Sequence, residues 1–237
     1  MGSIWLPRSR AQVQDGGAGN AGQNTRLLVF DVDTNSPRFG KPTAEFVHQL
    51  SSYGTNPNQR HTPVSELLVL NHQTFLLLER DSLGAGSSTN LTPVYKRIVL
   101  VSTMGATDIL NTGYDLEAGR PGQKSLPTNG LPSQLRPVLR WDFIDLLDTK
   151  ELGRFGLNVH SDTSDNTLSE KWEGLTLMPM RDPLAPDDYL LLVGNDNDFK
   201  ARFVYHNGKV VGTNATSIPT MILAFHVTVP GFTALQR

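Results

Sequence analysis

Two apolar runs, each too short for a helix and separated only by a turn, constrain this chain most. Residues 171–199 read KWEGLTLMPMRDPLAPDDYLLLVGNDNDF. Residues 175–178 and 189–193 are the apolar runs, and the polar segment between them carries Pro183 and Pro186. Proline fixes φ and has no amide to give a ladder, so that segment is a turn. The pattern predicts strand–turn–strand. In an antiparallel hairpin the start of the first strand lies beside the end of the second. Glu173 is therefore expected near Asn195-Asp196-Asn197-Asp198. Carboxylates gathered at one rim repel, and a bound cation would relieve them.

The same pattern occurs earlier. Residues 64–81 read VSELLVLNHQTFLLLERD, two apolar runs around Asn71-His72-Gln73-Thr74. Aligned by eye, Glu66 falls on Glu173, and Glu79 and Asp81 fall on Gly194 and Asp196. The implied repeat is acid–strand–turn–strand–acid. Its period fits two propeller blades, or one blade with long loops.

Further strands are expected over 25–33, 44–50, 95–102, 138–147 and 221–229, with a short one over 202–206. Residues 1–24 are rich in Gly, Gln and Asn and are expected to be flexible. Residues 25–230 form the folded domain, and 231–237 a tail. Residues 113–137 are the longest irregular stretch. No segment carries a convincing helical period, so the fold class is all-β.

Composition removes several functions. The net charge of −2 over 237 residues gives no electrostatic footprint for nucleic acid. No apolar run is long enough to span a bilayer as a helix, so no membrane association is expected. There is no cysteine, so any metal would rest on oxygen or imidazole. The opening residues lack the apolar core of a signal peptide. Asn90 and Asn214 each open a glycosylation triplet. No P-loop, nucleophile elbow or paired-histidine metal motif is present. His48 and His226 lie within expected strands and read as structural. His160, in a polar loop with Asp162, is the best acid–base candidate among the histidines.

Taken together, TRLLVFDVD (25–33), SELLVLNHQTFLLLERDS (65–82), YKRIVLVS (95–102), LGRFGLN (152–158) and the stretch over 171–199 resemble the phytase-like family, named for the esterase-like activity of phytase. The fungal branch is the nearest in character. The pairing of ERDS with EGL…DNDF is the most specific element. The resemblance implies a β-propeller-like, secreted domain with phosphoesterase activity. It also implies a further N-terminal half in such proteins, so an incomplete propeller of antiparallel blades is expected here.

On that footing Glu66, Glu79, Asp81, Glu173, Asp196 and Asp198 are the expected oxygen ligands of a Ca²⁺ ion, which takes six to eight oxygens. Arg80 and Lys171 would hold the phosphate of a small phosphorylated substrate. Two alternatives stand beside this reading. One is a non-catalytic propeller that binds a ligand with structural acids, since Asp and Asn also end strands by capping turns. The other is an inactive truncated fragment.

Overall fold

The structure, a computed structural model, describes residues 3–7, 22–54, 60–87, 92–115, 124–159, 165–200, 202–213 and 217–230, with backbone alone for 3–7. His160, Asp162, Asn90, Asn214 and the tail over 231–237 lie outside the described residues. The fold is all-β. Its strands form several antiparallel sheets, none closed, with one short helix among the described residues. The chain divides into two compact units, residues 1–79 with 98–143 and residues 80–97 with 144–237.

In the first unit, β1 (Ser3–Pro7), β2 (Asn24–Asp31) and β3 (Pro42–Gln49) form an antiparallel sheet in chain order. β1 lies within the stretch expected to be flexible. It is an edge strand, paired from Ser3↔Asp31 to Pro7↔Leu27. An edge is where proline is tolerated in a sheet. A small pair, β4 (Ser52–Tyr53) and β5 (Arg60–His61), leads to β6 (Val64–Val69) and β7 (Thr74–Arg80). These two are the expected hairpin. Its turn is built locally: Asn71 Oδ1 accepts the amides of Gln73 and Thr74, both at 2.9 Å.

β8 (Lys96–Ser102) and β9 (Leu139–Asp145) complete a sheet of order β6-β7-β8-β9. β7 is buried from Phe75 to Arg80, which explains its unbroken apolar run. The core beneath joins Leu27, Val29, Phe75, Leu77, Val99, Val101 and Val138.

The second unit holds α1 (Thr149–Arg154), β10 (Trp172–Pro179), β11 (Asp188–Asn195), β12 (Phe203–His206), β13 (Lys209–Thr213) and β14 (Ile222–Thr228). β10 and β11 are the hairpin expected over 171–199, and β14 pairs with the far side of β11. One sheet face is buried. Tyr189, Leu191 and Val193 alternate inward on β11, opposite Val227, Phe225 and Leu223. Each fully buried side chain of this size contributes about 1.5–3 kcal/mol. Phe225 also meets Phe155 edge-on, with ring centroids 5.4 Å apart.

Two elements here were not expected. α1 is a single short turn, too brief for a period, capped by Asp148, whose carboxylate accepts the amides of Lys150 and Glu151. β13 pairs with β12 across Asn207-Gly208, with φ of +49° and +75°. That is the Asn-Gly turn whose twist suits a two-residue hairpin.

The register also replaces the repeat alignment. Each hairpin has a bulge near the start of its first strand, between Val64 and Glu66 and between Trp172 and Gly174. Counted from the bulge, Glu66 matches Gly174 and Glu79 matches Asn195, while Glu173 matches Ser65. The acids therefore do not coincide. Each of the three acid pairings is one residue out of register, because residue type does not report the bulge from which the ladders are counted.

Gly84 has φ of +129°, and a Cβ there would lie 2.8 Å from Leu168 O and 2.9 Å from Glu170 N. Close approach is required because Ala85 bridges to Ser169 through two backbone hydrogen bonds. Gly84→Ala is expected to cost about 2–5 kcal/mol in chemical denaturation, through strain and overpacking together. Gly40→Ala, with positive φ but open space around it, is the milder comparison.

Candidate functional site at the open end of a hairpin

The bulge in β10 leaves Glu173 out of the ladder, between Trp172↔Asn195 and Gly174↔Gly194. A bulge re-aims the side chain it carries. Glu173 is partly exposed and accepts from Arg80 Nη2 at 2.5 Å. Arg80, at the end of β7, is itself buried. Its Nη1 donates to Asp81 O at 3.2 Å, and its Nε is buried with no hydrogen-bond partner.

Beyond Trp172 the chain places Lys171 against the loop after β11. Asp196 N donates to Lys171 O at 2.9 Å. Lys171 Nζ meets Asp198 Oδ1 at 2.5 Å, and Lys200 Nζ lies 3.7 Å from Asp198 Oδ2. The Lys171 hydrogen bond holds the Asp198 carboxyl below its usual range. In return Asp198 raises Lys171, with smaller help from the charges of Glu170 and Glu173. Lys171, Asp198 and Lys200 thus form one ion cluster, and the Glu173 charge is felt at Lys171.

The loop over 195–200 is fixed by its own side chains. Asp196 Oδ1 accepts Asp198 N at 2.8 Å, and Asn197 Oδ1 accepts Phe199 N at 3.1 Å. Asn195 and Asn197 reach across to the backbone at Pro219, Met221 and Ile218. For Asn195, Asp196 and Asn197 the turn-capping reading of a polar cluster describes what these side chains do.

Asp81 has a different environment. It is fully buried, and its Oδ2 accepts the amides of Val94 and Tyr95 at 2.6 and 2.9 Å. Its Oδ1 accepts Leu83 N at 3.2 Å and Lys96 Nζ at 2.8 Å. Lys96 donates also to Glu170 O at 2.8 Å. Burial pulls the Lys96 ammonium down to about 8, against the upward pull of Asp81.

In the first unit, Glu79 is fully buried. It bonds His48 Nε2 at 2.6 Å and Thr62 Oγ1 at 3.1 Å, and Arg140 Nη2 stands 3.6 Å away. Burial pushes its carboxyl up, but the His48 hydrogen bond and the His48 and Arg140 charges outweigh this and bring it to about 2. Glu66 accepts the amide of Leu67 at 2.8 Å.

The structure thus brings Arg80 to Glu173 and Lys171 to Asp198. Asp81 and Glu79 sit in their own buried ion pairs. Among the described residues no group of three or more histidines, aspartates and glutamates is placed to hold a metal ion. Each paired acid is neutralised by a protein cation, so a divalent ion would have to displace Lys171, Lys200 or Arg80.

Lys96, Lys200 and the His48–Glu79 contact were not found by sequence reasoning. A lysine opening the apolar strand YKRIVLVS was the available signal for Lys96. A histidine alternating in phase with Phe46 and Leu50 was the signal for His48.

Residues 2–199 match the model of the phytase-like family, described as esterase-like activity of phytase, and the chain belongs to that family. It is 26% identical over 191 residues to a protein of Arthroderma benhamiae named only as an uncharacterized secreted protein. The match covers 75% of this chain and 36% of that protein, so the chain spans little more than a third of the relative's length. No solved structure matches. Among the described residues no helix is long and apolar enough to cross a membrane.

Proposed function

We propose that this chain is the phosphate-binding part of a secreted phytase-like phosphoric ester hydrolase, with its site at the open end of the β10–β11 hairpin. The observation that carries this is Arg80. Its guanidinium spends two nitrogens on Glu173 and on Asp81 O, while Nε stays buried and unsatisfied. A buried donor without a partner calls for an explanation, and a phosphate oxygen would supply it once Glu173 is displaced and the guanidinium uncovered. Lys171 and Lys200 add two partly exposed ammonium groups held on Asp198. An arriving phosphate would compete with Asp198 for those ammonium groups and with Glu173 for Arg80.

The secreted relative supports a placement outside the cell. The antiparallel sheets would serve as blades of a propeller-like domain, of which this chain carries a part. Calcium assistance extends the proposal. Glu173, Asp196 and Asp198 are the acids at this end that a cation would recruit. A calcium-dependent rise in melting temperature, absent from Glu173→Gln/Asp196→Asn, supports that extension. An unchanged melting temperature removes it and leaves phosphate recognition to the cations.

Turnover of a phosphate monoester, followed as phosphate release with and without calcium, tests the whole reading. Lys171→Met is expected to lower kcat/KM about tenfold or more, since a hydrogen bond between charged groups is worth about 1.5–3 kcal/mol. Saturable phosphate binding without turnover would instead make this a phosphate-binding module. No binding and no turnover would defeat the proposal.

A further inference from the structure

Phe199 is 91% exposed, and its φ is +56°. Asp198 before it has φ of +52°. Left-handed backbone is uncommon outside glycine, asparagine and aspartate, and a bulky aromatic there is an outlier. Such residues each cost about 1–3 kcal/mol and persist only when their surroundings over-determine them. The loop does so: Asp196 and Asn197 accept the amides of Asp198 and Phe199, and Lys200 N donates to Asn197 O at 2.8 Å. Burial explains nothing, because the ring contributes almost no area to the core. Asparagine or glycine would occupy this position with less strain. Phe199 also stands in sequence between Asp198 and Lys200, two members of the ion cluster described above.

A ring held out of the core, in strained backbone and between Asp198, which holds Lys171, and Lys200, suits a planar partner. We propose that Phe199 is a specificity-determining residue, and that the site takes phosphate esters bearing an aromatic group. Stacking on Phe199 orients the aromatic group while Lys171, Lys200 and Arg80 hold the phosphate. This rests on the phosphate reading given above, and it adds the substrate class. Base–aromatic stacking is worth roughly 1–3 kcal/mol by truncation, a factor of about 5 to 100 in affinity.

The test measures binding rather than turnover, with phenylphosphonate and methylphosphonate titrated calorimetrically into the whole chain. The wild type is expected to bind phenylphosphonate about 5- to 100-fold tighter. In Phe199→Asn, which suits the left-handed backbone, the ratio is expected to fall toward one. The same fall in Phe199→Leu would show that the aromatic ring, rather than bulk, is responsible. Equal affinities in the wild type, or a preference untouched in Phe199→Asn, would overturn the inference while phosphate binding stands. Failure of both phosphonates to bind would overturn the phosphate reading, and this inference with it.

Discussion

Glu79→Ala is expected to remove about 3–5 kcal/mol of stability, the loss that follows when one partner of a buried ion pair is deleted. Glu79 is fully buried between His48, Thr62 and Arg140. Deleting its carboxylate strands the buried His48 imidazole and takes one partner from Thr62, which keeps Ser51 O, and from Arg140, which keeps Asp142. Denaturant unfolding with an unchanged slope and a lower midpoint is the expected record. Glu79→Gln keeps an acceptor and should lose less.

The same residue sets an acid limit. Its folded pKa is depressed from 4.5 to about 2. A depressed carboxylate contributes stability that is fully present above its unfolded value and is lost as pH falls through the folded one. The window is therefore from about 4.5 down to about 2, and a shift of that size is worth about 3 kcal/mol. The wild type should lose stability through this window more steeply than Glu79→Gln.

Asp81→Ala should have an effect of similar size in the second unit, about 3–5 kcal/mol. Its carboxylate accepts three backbone amides, of Leu83, Val94 and Tyr95, besides the ammonium of Lys96. All of them lose an acceptor together. Pairing Asp81→Asn with Lys96→Met removes the stranded charge as well, so the double variant should be more stable than Asp81→Ala alone. The loss is expected to be equal in calcium and in chelator, because protein donors already occupy this carboxylate. A loss that appears only in calcium would mark Asp81 as a metal ligand.

These two acids show where sequence reading ends. Both were legible as acids closing a strand, and both hairpins were legible from their apolar runs and turn residues. Their partners were not. Lys96, His48 and Arg140 are far from them in sequence, and no local period reports which strands become neighbours. Register was likewise beyond reach, since hairpins with connections of different length align plausibly in more than one frame. β13 was a missed local signal, Asn207-Gly208. β1 had no such signal: five residues ending in proline, next to a Gly-rich stretch, look like loop until β2 supplies their ladder.

The candidate site divides the same way. Arg80 and Lys171 read as cations near acids, and the structure pairs them with Glu173 and Asp198. The open end of the hairpin followed from antiparallel geometry alone. The bulge that frees Glu173 and the strained backbone of Phe199 did not, because both depend on backbone angles that residue types only bias.

The central claim is that Arg80 keeps a hydrogen-bond donor for phosphate. Nitrogen-15 NMR of the arginine Nε–H groups, during titration with inorganic phosphate, reads that donor directly. The Arg80 Nε–H signal is expected to move downfield and saturate, with a weaker response in Lys171→Met and none to chloride at equal ionic strength. An Arg80 signal that stays fixed while phosphate reaches saturating levels would contradict it.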